Sequence, residues 1–95
     1  MKIRLTPAAQ GDLSSIWDFT LDRWGSEQAE RYIREIQGAI ERVATGPEHG
    51  QDRGDIRPGY RSYEVRSHTV FYVARDDSVD VIRILHQRMD SSRNL

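Results

Sequence analysis

The sequence predicts a single α+β domain of order β-α-α-β-β-β, in which a helical hairpin packs on a mainly antiparallel four-stranded sheet. Three observations carry this prediction. Apolar residues recur at steps of three and four through residues 7–45. Strand-like runs rich in β-branched and aromatic residues occupy 2–6 and 60–86. Only short polar breaks divide the last three of these runs. A chain of 95 residues without a linker-like stretch has room for one core, so residues 1–95 are expected to form one domain.

In the first run, Ile3 and Leu5 alternate with Lys2, Arg4 and Thr6, as in a half-buried strand. Thr6 is suited to cap a helix and Pro7 to its first position, where a missing N–H costs nothing. Ala9, Leu13, Ile16, Trp17, Thr20 and Trp24 then form one core-facing stripe, ending at Gly25. Ser26 is expected to cap a second helix, whose stripe is Ala29, Ile33, Ile36, Ile40 and Val43, with Glu27–Arg31 and Glu30–Arg34 pairs outside and Gly46-Pro47 as its stop. The brief Gly25-Ser26 connection forces the helices antiparallel. Gly38 reads either as a close backbone approach or as a tolerated surface glycine.

Residues 46–59 show no period and carry glycines at 46, 50, 54 and 59, so they read as a loop, either a binding loop or a plain crossover. The runs 60–65, 68–73 and 79–85 read as an antiparallel meander. The last is nearly continuous in apolar residues, which places it near the middle of the sheet with the N-terminal strand beside it.

Composition narrows the function. Cysteine is absent, which removes disulfides, thiolate metal sites and a cysteine nucleophile and fits a reducing, cytoplasmic setting. No run has the length of a signal or membrane segment, so no membrane association is expected. The formal net charge is −1, with 14 Lys and Arg against 15 Asp and Glu, which disfavours autonomous grip on nucleic acid phosphates. A small domain buries a modest share of its surface, so a partner that covers apolar surface would stabilise it.

Chemistry-bearing motifs are few. His49, His68 and His86 lack metal-ligand spacing, the glycines of 46–59 precede a strand and not a helix, and no nucleophile elbow is present. No metal, cofactor or small-molecule ligand is therefore expected. The one constellation with catalytic character is His86 and Arg88 with Arg61 and Arg83, since arginines can stabilise a phosphorane and histidine can move a proton. The plainer reading of the same residues, solvent-facing arginines and an orienting or packing histidine, outweighs the catalytic one.

Leu5-Thr6-Pro7-Ala8-Ala9, Asp12-Leu13, Ile16-Trp17 and Trp24-Gly25 together resemble the first helix of ParE toxins. Arg57-Pro58-Gly59-Tyr60-Arg61-Ser62, His68-Thr69-Val70-Phe71-Tyr72 and Val81-Ile82-Arg83-Ile84-Leu85-His86-Gln87-Arg88-Met89-Asp90 resemble that family's final strands, across nearly the whole chain. The resemblance implies a RelE/ParE-like fold and the toxin half of a bacterial type II toxin–antitoxin (plasmid stabilization) system. It also implies a hetero-oligomer with a ParD-like antitoxin, contact with operator DNA only through that antitoxin, and inhibition of DNA gyrase. RelE-type relatives instead cut mRNA on the ribosome with a basic cluster near the C-terminus. Here no tyrosine follows His86 and Arg88, so binding is favoured over catalysis, with no catalytic residue assigned; the endoribonuclease, using Arg61, Arg83, His86 and Arg88, is the alternative. A non-toxic binding module is a third reading. For partner binding the candidates are Trp17, Trp24, Tyr32, Arg83, His86, Arg88 and Met89, around a groove between hairpin and sheet, although both tryptophans also fit a core role.

Overall fold

The computed structural model describes all of residues 1–95. Strand β1 (Lys2–Leu5) leads into α1 (Pro7–Trp24) and α2 (Ser26–Thr45). A 3₁₀ turn (Pro47–His49), β2 (Gln51–Asp52), β3 (Tyr60–Val65), β4 (His68–Ala74), β5 (Ser78–His86) and a short helix α3 (Ser91–Asn94) complete the chain.

The predicted α+β order and helical hairpin are present, but the sheet has five strands, not four, in the order β1-β5-β4-β3-β2. The added strand lies within the segment read as loop: Gln51 pairs with Ser62 and Asp52 with Arg61. Two residues cannot establish a period, so this strand exists only through its pairing with β3. As the apolar run predicts, β5 has neighbours on both sides, β1 parallel and β4 antiparallel.

The junction of β1 and α1 seals part of the edge of β5. Thr6 Oγ1 accepts from the Ala9 N–H at 3.0 Å and donates to the Ile82 carbonyl at 2.6 Å, while the Thr6 N–H donates to Val81 at 3.0 Å. One threonine thus caps the helix and closes the edge where β1 ends. Opposite, Phe71 pairs with Arg83 and Tyr72 with Val81, so Ile82 is an extra residue, a β-bulge. The bulge resets the strand's phase: Val79 and Val81 face the helices before it, Ile84 after it.

The core joins Ala9 and Ile16 of α1, Ile36, Ala39, Ile40, Val43 and Ala44 of α2, and Val65, Val70, Tyr72, Val79, Val81 and Ile84 of the sheet. Phe71 and Leu85, although 2% exposed, stand outside this cluster, because the pleat turns Phe71 away from the side of Val70 and Tyr72. Arg53 lies over the Phe71 ring at 5.8 Å, and Arg57 and Arg83 donate to the carbonyls of Leu95 and Asn94, which ties the C-terminal turn down.

Three expectations change, and one open alternative is decided. Ser26 is the first residue of α2 and makes no side-chain cap; the turn is made by Gly25 at φ 89°, whose N–H donates to Leu21. Trp24 is 61% exposed, so the core stripe of α1 stops at Thr20. Ile3 is exposed on the edge strand. Gly38 borders open space, which selects the surface reading over close approach. Of the two expected helix-surface pairs, Glu30–Arg34 forms, at 3.8 Å between exposed groups.

Candidate functional site

The helices diverge from the sheet beside the hairpin turn and leave a groove of about 610 Å³. Its walls are the second half of α1 (Ile16, Phe19, Thr20, Trp24), the first half of α2 (Gln28, Tyr32), the β3–β4 turn (Arg66, Ser67) and the ends of β4 and β5 (His68, Ile84, His86), with Met89 beyond. Phe19, Trp24 and Met89 are 56%, 61% and 42% exposed. Trp24 stands edge-on to Phe19, with centroids 6.2 Å apart, and the Arg23 guanidinium lies 5.0 Å from the Phe19 centroid. Three large apolar side chains held open beside one cleft form a surface suited to an apolar partner segment.

The polar lining is organised by fixed partners. Asp12 accepts from Arg83 Nε and Nη2, both at 2.8 Å, and from the Ile84 N–H at 2.8 Å. This is a two-pronged ion pair that also satisfies a backbone donor on β5 beyond the end of β1. The Asp12 hydrogen bond raises the Arg83 pKa further, so this guanidinium stays charged and paired. Across the groove Arg66 binds Glu35 through two nitrogens, and that bond holds the Glu35 carboxyl below the usual range. Arg66 sits at φ 53° in the two-residue β3–β4 turn, a left-handed position that is uncommon for a residue with a Cβ.

Between these pairs Tyr32 Oη lies 2.6 Å from His68 Nδ1, and the His68 and His86 rings meet edge to face at 5.2 Å. Burial, then the neighbouring His86, push the His68 imidazole below its ordinary pKa, while Asp12 pulls weakly the other way. Burial likewise raises the Tyr32 phenol. A neutral imidazole and a neutral phenol are therefore the resting pair.

The structure separates the candidate residues. Trp24, Tyr32, His86 and Met89 line the groove. Trp17 is half-buried on α1 and does not line it. Arg83 stands behind the wall, paired to Asp12. The Arg88 side chain is exposed, and its N–H donates to His86 Nδ1 at 3.1 Å. Arg61 is elsewhere: its Nε donates to Pro47 at 3.1 Å and its Nη2 to Gly50 at 2.6 Å, holding the segment that precedes β2. The four residues of the phosphodiester-cleaving constellation thus do not converge.

Sequence reasoning passed over Phe19, His68, Asp12 and Arg66. Two carried a readable signal: Phe19 is a bulky apolar residue beside the core stripe, and Asp12 is a lone acid next to Leu13 on the buried side of α1. His68 and Arg66 become informative only through strand pairing.

No helix is long and apolar enough to cross a membrane, and no three His, Cys, Asp or Glu side chains are grouped to hold a metal. The chain is 55% identical over 92 residues to toxin ParE1 of Mycobacterium tuberculosis, covering 96% of this chain and 94% of that one. It is 44% identical to toxin ParE1 of Caulobacter vibrioides, covering 97% and 95%. Its fold matches a chain from the chromosomal ParDE TA system of P. aeruginosa with a TM-score of 0.78 at 20% identity, covering 90% of this chain and 95% of that one. The family model for the ParE toxin of type II toxin-antitoxin system, parDE, matches residues 3–91, and the chain accordingly belongs to the ParE toxin family.

Proposed function

We propose that this toxin acts by binding, that a ParD-like antitoxin neutralises it by laying an amphipathic segment along the groove, and that its target is DNA gyrase. The observation that carries the binding reading is the open aromatic groove beside arginines already committed to other partners. Arg83 is held by Asp12 and Arg61 by two carbonyls, so neither is free to gather round a scissile phosphate at His86. An amphipathic helix needs a concave apolar surface with anchors for residues one turn apart, and Phe19, Trp24, Ile84 and Met89 supply it. The near-zero net charge supports a protein target approached by surface fit over free nucleic acid. Membership of the ParE toxins, for which gyrase is the usual target, supports the choice of gyrase.

Purified toxin added to gyrase is expected to reduce supercoiling of relaxed plasmid, and pre-incubation with antitoxin to restore it. Undiminished supercoiling at a toxin excess, together with new mRNA 5′ ends on induction that disappear in His86→Ala, would replace this reading with ribosome-dependent RNA cleavage. Harmless strong expression of the intact chain would remove toxicity altogether.

A further inference from the structure

His68 and His86 are cross-strand partners at the ends of β4 and β5, and His68 shares its face of the sheet with Val70 and Tyr72, so the pair turns toward the helices. Both rings line the groove between Phe19 on one side and Met89 on the other. We propose that this histidine pair makes occupancy of the groove proton-linked: the antitoxin segment binds when both imidazoles are neutral and is released when the pair takes up a proton. The inference rests on the antitoxin reading of the groove.

The geometry supplies the mechanism. The Arg88 N–H donates to His86 Nδ1, so that nitrogen carries no proton and the neutral ring holds its own on Nε2. A second proton must go to Nδ1, where it would oppose the Arg88 N–H, donor against donor. The hydrogen bond then breaks and leaves the Arg88 N–H without its acceptor in the turn that carries Met89 to the groove wall, a turn otherwise closed by the Met89 N–H to the His86 carbonyl. At His68 the Nδ1 atom faces Tyr32 Oη, whose hydroxyl can reverse from donor to acceptor, so protonation there adds charge without breaking the contact.

Charge around the pair gives an imidazolium little relief. From α1 the facing carboxylate is Asp12, already shared between Arg83 and the Ile84 N–H. On α2 the facing groups are Tyr32 and Glu35, the latter bound to Arg66 of the β3–β4 turn. On the β5 side stand Arg83 and Arg88, both cations. An apolar segment over Phe19, Ile84 and Met89 would exclude the remaining water and disfavour the charged rings further.

The test is the toxin's affinity for a purified ParD-like antitoxin, measured at pH 7.5 and 5.5. It is paired with nuclear magnetic resonance of the free, isotope-labelled toxin. Exclusion of one proton weakens binding by at most about tenfold for each pH unit below the titration point, and burial holds the His68 imidazole below its ordinary value, so the affinity should fall across this range by no more than about tenfold. His68→Asn/His86→Asn should flatten the dependence, and in the free toxin the Arg88 amide resonance, whose N–H donates to His86 Nδ1, should shift between the two pH values. Tight binding that is equally strong at both pH values overturns the linkage while leaving the antitoxin reading intact, as does an unmoved Arg88 amide. Absence of binding at either pH overturns the antitoxin reading itself.

Discussion

Asp12 is the residue on which most of the site's frame converges. Its carboxylate, with the side chain 14% exposed, serves three donors, two from Arg83 and one from the backbone of Ile84. Asp12→Ala would strand a part-buried guanidinium and a backbone N–H at once, a loss of about 2–3 kcal/mol, which for a domain of this size lowers Tm by more than about 8 °C. Asp12→Asn keeps one acceptor and should fall between the two in thermal denaturation; equal losses for both variants would mean that charge contributes nothing. A second residue of consequence is Gly50. A Cβ there would lie 2.0 Å from Tyr72 Oη and 2.9 Å from the Ser62 carbonyl, and Tyr72, fully buried, donates to Pro47 at 2.5 Å and cannot swing aside. Gly50→Ala is expected to destabilise by about 2–3 kcal/mol through overpacking. Adding Tyr72→Phe, which removes the clashing hydroxyl, should recover part of that loss, so the double-mutant cycle measured by urea unfolding should be non-additive. Strict additivity would show that the Tyr72 hydroxyl oxygen is not what the Cβ meets.

At the scale of elements, α1 does two jobs with its two halves. Its first half completes the sheet, through the Thr6 cap and Asp12 on the edge of β5. Its second half leaves the core after Thr20 and carries Phe19 and Trp24 into solvent at the hairpin turn. A helix end that contributes little to the core can be altered at small cost in stability. Trp24→Ala should therefore change unfolding free energy by no more than about 0.5 kcal/mol, yet weaken antitoxin binding by tenfold or more, the behaviour of an interface anchor. Calorimetry and equilibrium binding on the same preparation separate the two effects. A large loss of stability with unchanged affinity would place Trp24 in the fold and not in the interface. The bulge at Ile82 is the matching device in β5, since it returns Ile84 and His86 to the helix side where the groove opens.

At the scale of the molecule, stability is coupled to pH through His68. Its folded pKa is depressed by burial and by His86, so below the ordinary histidine value of about 6.5 the unfolded chain binds a proton that the folded chain refuses. Stability is therefore complete above about pH 6.5 and declines as the pH falls beneath it. Tm should drop between pH 7.5 and 5.5, and His68→Asn, which keeps an acceptor for Tyr32, should reduce that slope; an unchanged slope would assign the pH dependence to other groups. The depressed carboxylate of Glu35 acts in a separate window, losing its contribution only as the pH falls toward the acidic range.

The amino-acid sequence determined the helical hairpin, the meander, the central place of β5 and the family, because each is written in local periodicity or contiguous motif: three-and-four spacing through α1 and α2, β-branched runs in β3 to β5, and the segment Val81–Asp90. Even the bulge leaves a trace, in the adjacent Val81-Ile82 that breaks the alternation begun by Val79. Tertiary structure alone decided the rest. Whether Gln51–Asp52 is a strand, which arginines are free, that Trp24 faces water and that His68 meets His86 all depend on contacts between residues distant in sequence. Periodicity reports which face of an element is apolar. It does not report what stands opposite, and the charge state and reach of Arg61, Arg83 and the histidines are set by that.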